Sequence, residues 1–345
     1  MPEEDLLHVL KRVGPLWERL REERIFLTGG TGFFGKWLIE SLLYANQVLD
    51  LNCRATVLSR NPVGFAELNP HLVNPATVTF LAGDVRNFEY PEGKYGFVIH
   101  AATDVVSPAN ALDVFSSCVD GTRRVSEFAS QAGCSDFLLV SSGAVYGRQP
   151  DDMAAIPENH SGAPDPLDKG SAYGEGKRCA EWLATEIGRE AGFSVKIARC
   201  FAFVGPYLPL DKHFAIGNFI RDALSEAPIL IQGNGSAVRS YLYAADLVVW
   251  LWTILLKAPA GVAYNVGGDE AIDISGLANR VNVLAGSPSE VNVMMQRDPA
   301  AKPSRYVPDV RKAEIELGLK PDIGLDEAIR RTIRWNLGVR PQHEF

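Results

Sequence analysis

Apolar positions along this chain fall into two textures that alternate. Short unbroken apolar runs read as strands buried on both faces, and longer stretches with apolar residues three and four apart read as helices. From Arg24 the order is a strand over 24–28, a helix over 35–44, and strands over 53–59, 78–82 and 95–101. A helix over 113–132, a strand over 136–141, a helix over 173–191 and a strand over 194–201 follow. This alternation predicts an α/β fold: a doubly wound parallel sheet, helices on both faces, right-handed crossovers. Ahead of it, residues 3–22 place Leu6, Leu10, Val13, Leu16, Trp17 and Leu20 roughly on one helical face, with a break at Gly14-Pro15. That segment is expected to act as a packing clasp.

After Phe201 the pattern shortens. Gly205-Pro206, Pro209, Gly233-Asn234-Gly235, Pro259, Gly286, Pro288, Pro299, Pro303 and Pro308 punctuate it. A helix over 243–257 and a strand over 262–266 are expected to rejoin the sheet, and an amphipathic helix over 325–335 to close the chain. The expected division is an extension over 1–23, a main domain over 24–202 plus 241–268, and a smaller C-terminal lobe over 203–240 plus 269–345.

The first strand runs directly into Thr28-Gly29-Gly30-Thr31-Gly32-Phe33-Phe34-Gly35, which opens the first helix. Glycine at the strand end permits a tight turn, glycine in the loop lets amides approach a pyrophosphate, and glycine in the helix lets it lie close to the sheet. The pyrophosphate then meets the helix N-terminus, where free amides and the dipole favour negative charge. A bare glycine triplet is weak evidence; the strand–turn–helix context makes it specific. The second strand of such a unit commonly ends in a carboxylate that binds the ribose 2′-hydroxyl. Here Ser59 and Arg60 stand there instead. A cation suits a 2′-phosphate, so NADP(H) is favoured, with NAD(H) the alternative; Arg60 as a solvated loop residue is the plainer reading.

Composition narrows the function classes. The 345 residues are 46% hydrophobic and 22% charged, with a formal net charge of −8. An acidic chain of this kind lacks the positive field of a nucleic-acid or anionic-membrane binder. The five cysteines are odd in number and show no ligand spacing, and the start Met1-Pro2-Glu3-Glu4-Asp5 is no signal peptide. Reduced thiols, a cytoplasmic location and no metal are expected.

Tyr173 and Lys177 lie four apart, on one helix face. An ammonium beside a phenol favours the phenolate, which can exchange a proton with an alcohol oxygen. Ser142 ends the strand before Gly143-Ala144-Val145-Tyr146-Gly147. Open α/β sheets bind ligands at that edge, so its hydroxyl can reach the same oxygen.

The motifs TGGTGFFG, Gly83-Asp84-Val85, His100-Ala101-Ala102, SSGAVYG and YGEGK, in this order, resemble those of the extended short-chain dehydrogenase/reductases that modify nucleotide sugars. Arg199–Pro206, Gly233–Gly235, Arg239-Ser240-Tyr241, Ala245-Asp246 and Tyr264-Asn265-Val266-Gly267 extend the likeness from about residue 24 to the C-terminus. The resemblance implies a Rossmann sheet with a C-terminal substrate-binding lobe, and a nicotinamide cofactor held by Gly29, Thr31, Gly32, Phe33, Phe34 and Gly35. It places Ser59 and Arg60 at the adenosine ribose, Asp84 and Val85 beside adenine, and Ala101, Ala102 and Thr103 along the cofactor channel. Ser142, Tyr173 and Lys177 become the catalytic set, with Tyr173 and Lys177 also touching the cofactor. Ser142, Arg239 and Arg305 would hold a nucleoside-diphosphate sugar. A homodimer through the helices over 113–132 and 173–191 is implied as well.

Three departures matter. Family members that eliminate or decarboxylate carry an acidic residue just after the serine or threonine, where this chain has Gly143 and Ala144. The asparagine expected before Gly121-Thr122 is absent, with Cys118 near its place, and Ala202 replaces another that contacts substrate phosphate. His213 is a candidate to fill that gap. The expected activity is therefore reduction of a 4-keto nucleotide sugar. A 4-epimerase is the alternative, and a 4,6-dehydratase or a non-catalytic dinucleotide sensor stands behind both.

Overall fold

The computed structural model describes residues 1–103, 110–212, 214–296, 298 and 300–339. Among these, seven parallel strands form the central sheet: β1 (Arg24–Thr28), β2 (Arg54–Ser59), β3 (Val78–Ala82), β4 (Phe97–His100), β5 (Asp136–Ser142), β6 (Ser194–Cys200) and β7 (Val262–Val266). Their order is β7-β6-β5-β4-β1-β2-β3. The chain therefore winds outward from β1 in one direction and from β4 in the other. Between those two strands, at their C-terminal ends, lies the crevice where such sheets take ligands.

Strand alternation divides the core. Leu27, Val57, Ile99, Leu138 and Val140 join one buried cluster, and their neighbours Phe26, Leu58, Val98, Phe137 and Leu139 join another. Both faces are dry, so β4 and β5 are buried at every position. Helices α1 (Glu3–Val13), α2 (Phe33–Leu49), α3 (Ala111–Gln131), α4 (Ala172–Ala191) and α5 (Ala244–Lys257) supply the flanking layers. α2 and α5 contribute to the first cluster, α3 and α4 to the second.

The expected alternation is present, with boundaries moved. α2 begins at Phe33 rather than Gly35 and runs to Leu49, because Gly32 already serves as its N-cap. α1 ends at Gly14, whose φ is 55°, and a 3-10 turn over Gly14–Leu20 continues it. This extension is pinned by more than apolar packing. Trp17 lies 5.1 Å from Trp252, ring to ring, while buried Asp5 accepts hydrogen bonds from Tyr243 Oη (2.7 Å) and Arg331 (2.6 Å). Burial raises the Asp5 carboxyl above the usual carboxylate range, against the opposing pull of those two donors.

Beyond β6 the elements are short. Val238–Arg239, Ile272–Asp273 and Arg305–Tyr306 make a small sheet, and the same part of the chain carries helices Ala215–Leu224, Ile274–Ala285, Arg311–Leu317 and Leu325–Val339. Two-residue strands carry no readable period, which is why the pattern predicted the helices over 243–257 and 325–335 and the strand over 262–266 but not this small sheet. No helix among the described residues is long and apolar enough to cross a membrane.

Candidate active site

The glycine turn is compact because side chains have no room in it. Gly29 has φ 74°, and a Cβ there would stand 2.6 Å from the Ala101 carbonyl carbon. A Cβ on Gly35 would collide with the backbone of Gly30 and Gly29. The Gly32 amide closes the turn on Gly29 O at 3.1 Å. No side chain caps α2, so its first amides remain available to an anion. Thr31 and Phe33 are half-buried beside them, and Phe34 packs edge-on against Phe203 at 5.0 Å. These residues fit a dinucleotide pyrophosphate.

A buried polar chain braces the opposite wall. Thr28 Oγ1 accepts from the Ala102 amide (3.1 Å) and lies 2.7 Å from His100 Nδ1, while His100 Nε2 lies 3.0 Å from Thr122 Oγ1. Both ring nitrogens are thus satisfied inside the core. Burial, aided by the nearby Lys177 charge, lowers the His100 pKa to about 3, so the ring is neutral. This histidine sets Ala101 and Ala102 against Gly29; the sequence reading took it only as part of a motif. Thr103 donates to Ala102 O at 2.7 Å.

At the end of β2, Ser59 is buried and accepts from the Asn61 amide at 3.2 Å, while Arg60 is exposed. Asp84 is engaged by Arg86 through two side-chain contacts of 2.8 and 3.0 Å. These bonds, together with the charge of Arg60, hold its carboxyl below the ordinary value. Val85 is buried, and Gly121 lets α3 approach it closely.

Ser142, Tyr173 and Lys177 come together at the C-terminal edge of β5. Ser142 Oγ accepts from the Ala144 amide at 3.1 Å, and its hydroxyl is the neighbour that favours ionisation of the Tyr173 phenol. Lys177 is buried and donates to Val140 O at 2.8 Å, its ammonium 6.0 Å from the Tyr173 ring centre. One expectation needs correcting here. Burial raises the Tyr173 pKa, and the hydrogen bond from Ser142 is what opposes the rise. The ammonium gives one of its three protons to the Val140 carbonyl, and Lys177 is not among the groups that lower the Tyr173 pKa here. Burial also lowers the Lys177 pKa.

Behind the set, Ser141 donates to Glu181 (2.5 Å), which receives Arg199 through Nη2 (2.7 Å) and Nε (3.0 Å). Arg199 also reaches Tyr146 Oη at 2.9 Å. This ion pair ties β5, β6 and α4 into one frame.

The small C-terminal sheet supplies the remaining groups. Arg239 and Tyr306 are paired in register on parallel strands, so they share a face; Arg305 pairs with Val238 and, by alternation, faces the other way. The structure therefore associates Arg239 with the site and separates Arg305 from Tyr306. Tyr306 was missed by the sequence reading: its hydroxyl lies 3.4 Å from Ser142 Oγ. Its only signal is its place beside Arg305. His213 lies outside the described residues.

Two other clusters do not add a site. His8, Asp246 and Asp322 converge within 4.8 Å, which the sequence did not foretell. Asp246 is already held by His8 (2.8 Å) and by the amides of Asp322 and Ile323 (2.9 Å each), as an anchor for α1. An open cavity of about 640 Å³ beyond β7 is lined by Glu158, Arg199, Lys312 and Glu316 among others, and includes none of the catalytic set. Lys312 there donates to Ala263 O, and Glu316 accepts from Tyr264.

A family model described as "NAD dependent epimerase/dehydratase family" matches residues 25–267. UDP-glucuronic acid decarboxylase 1 of Arabidopsis thaliana is 30% identical over 90% of this chain and 69% of its own length. A probable dTDP-glucose 4,6-dehydratase of Sinorhizobium fredii is 29% identical over 91% of this chain and 93% of its own. Among solved structures, DesIV, a dTDP-glucose 4,6-dehydratase from Streptomyces venezuelae with NAD and TYD bound, is 26% identical with a TM-score of 0.76, covering 92% of this chain and 98% of that one. The glycine turn, the Ser142–Tyr173–Lys177 corner and these matches converge: the chain belongs to the NAD dependent epimerase/dehydratase family, within the extended short-chain dehydrogenase/reductases.

Proposed function

We propose that this enzyme exchanges a hydride at C4 of the hexose in a nucleoside-diphosphate sugar, without elimination or decarboxylation. The carrying observation is the corner itself: Ser142 at the end of β5, acting on the Tyr173 phenol and followed by Gly143 and Ala144, with no carboxylate in the motif. The relatives bear the names of a decarboxylase and a dehydratase. Neither position 143 nor 144 can transfer a proton, which weighs against both reactions here. When bound, the nicotinamide cofactor supplies the ring that accepts or gives the hydride. Ser142 donates its one proton to the reacting oxygen or to the phenol, Tyr173 passes the proton to or from that oxygen, and Lys177, fixed to Val140, keeps a positive charge behind them. Arg239 grips the diphosphate with its guanidinium. Residues 203–240 and 269–345 form the lobe that carries it.

Two net outcomes share this machinery. Arg60, at the cofactor's adenosine ribose, favours NADP(H) and so a 4-keto-sugar reductase. The NAD dependence of the family favours the second, a 4-epimerase that retains NAD. Incubation with NADPH or NADH and dTDP- or CDP-4-keto-6-deoxyglucose separates them. The reductase oxidises NADPH in proportion to sugar; interconversion of UDP-glucose and UDP-galactose without net cofactor change identifies the epimerase. Failure of both assays removes the reading.

The same reading makes the protein a cytoplasmic homodimer built on α3 and α4. Exposed Leu112, Phe115 and Trp182 on those helices support it. Sedimentation at micromolar concentration giving a monomer alone counts against it.

A further inference from the structure

We infer that Tyr306 is a positioning residue that forces Ser142 to act as a donor, and that it links this setting to the substrate grip at Arg239. The inference rests on the hydride-transfer reading above and deepens it.

A serine hydroxyl has one proton to give and two lone pairs to fill. One lone pair of Ser142 is taken by the Ala144 amide at 3.1 Å. The Tyr306 hydroxyl stands 3.4 Å from the same oxygen. The Tyr306 proton has two acceptors in reach, Ser142 Oγ and Cys200 O at 3.5 Å; turned to Ser142, it fills the second lone pair. The Ser142 proton then has no use except as a donor toward Tyr173 or the reacting oxygen. The 3.4 Å separation is loose, and hydrogen bonds of this kind commonly shorten when a substrate closes the site.

The packing explains how Tyr306 reaches this place. Gly143 has no side chain, and the Phe201 ring fills the space: a Cβ on Gly143 would lie 2.6 Å from the ring edge. Tyr306 stacks on Phe201 with ring centres 4.5 Å apart. The position that carries an acid in the resembled dehydratases is thus used here for packing, and that packing delivers a phenol from the other lobe. Tyr306 is also the in-register neighbour of Arg239, whose guanidinium carbon lies 5.9 Å from its ring centre. A diphosphate that orders Arg239 would order the strand pair, and with it the hydrogen bond to Ser142.

The test is Tyr306→Phe, which keeps the ring stack and removes only the hydroxyl. In whichever direction the wild type turns over a nucleotide sugar, kcat should fall about tenfold with KM changed less than about twofold, as expected for one lost hydrogen bond felt in the transition state. The apparent pKa governing the alcohol-oxidising direction should rise by roughly one unit, because Ser142 no longer supports the phenolate. Ser142→Ala placed in this background should cost much less than it does alone. Full activity in Tyr306→Phe, or strictly additive losses, overturns the inference. Should the wild type turn over no nucleotide sugar, the proposed function fails first, and the inference is read by crystallography instead. A Ser142 side chain that keeps its rotamer in Tyr306→Phe overturns it, whereas a turned or doubly placed Ser142 supports it.

Discussion

The glycine turn and the Ser142 corner sit at the same sheet edge but are built by opposite means. The turn is built with backbone: a Cβ at Gly29 or Gly35 would strike neighbouring backbone, while Gly32 caps the helix. The corner recognises with side chains brought from β5, α4 and the small C-terminal sheet, each held by a partner far away in sequence. The first is a local device contained in eight consecutive residues; the second exists only after the chain has folded. A local device should fail outright when one residue is wrong, and an assembled one by degrees. Substitutions at the two places therefore have different signatures.

The largest effect is expected at the turn. Gly35→Val puts a side chain into the Gly29–Gly30 backbone, and calorimetry should detect no dinucleotide binding, with thermal unfolding reporting a loss of about 3 kcal/mol. Retained cofactor affinity would show that the turn is not the phosphate site. Next comes Tyr173→Phe, which should lower kcat on a nucleotide sugar by about 10²–10⁴ while leaving cofactor affinity intact. Normal turnover would end the catalytic assignment. A smaller loss is expected from Arg239→Lys, which keeps the charge but not the fork. KM for the nucleotide sugar should rise roughly tenfold with kcat less affected; an unchanged KM would place the diphosphate elsewhere.

A pH dependence of stability arises from the wall between the two regions. His100 stays neutral in the fold, with a pKa near 3 against 6.5 in the unfolded chain. The unfolded state therefore takes up the proton first. The contribution of His100 is full above about pH 6.5 and is lost as pH falls toward 3, by up to about 1.4 kcal/mol per pH unit. Denaturant titrations from pH 7 to 4 should show this slope, and His100→Gln should flatten it. An equal slope in the variant would assign the acid sensitivity to other groups.

Legibility followed the same division. Strands buried on both faces announce themselves as apolar runs, so the doubly wound parallel sheet was readable before its strands were paired. The turn was readable because its chemistry needs glycine at fixed spacing. Tyr173 and Lys177 were readable because a helix places residues four apart on one face. Their electrostatics were not: the lysine donates to Val140 O, and the phenol is buried. Tyr306 had no local signal, since its partner Ser142 lies 164 positions away.

Taken alone, the sequence determined the winding of the sheet and nominated the glycine turn and the Ser142–Tyr173–Lys177 set, because each depends on spacing within one or two elements. Only the tertiary structure decided where the lysine spends its charge, that His100 braces the cofactor wall, and that Tyr306 rather than Arg305 stands beside the reacting corner. Those outcomes depend on burial and on which strand lies next to which, and neither is encoded at any single position of the chain.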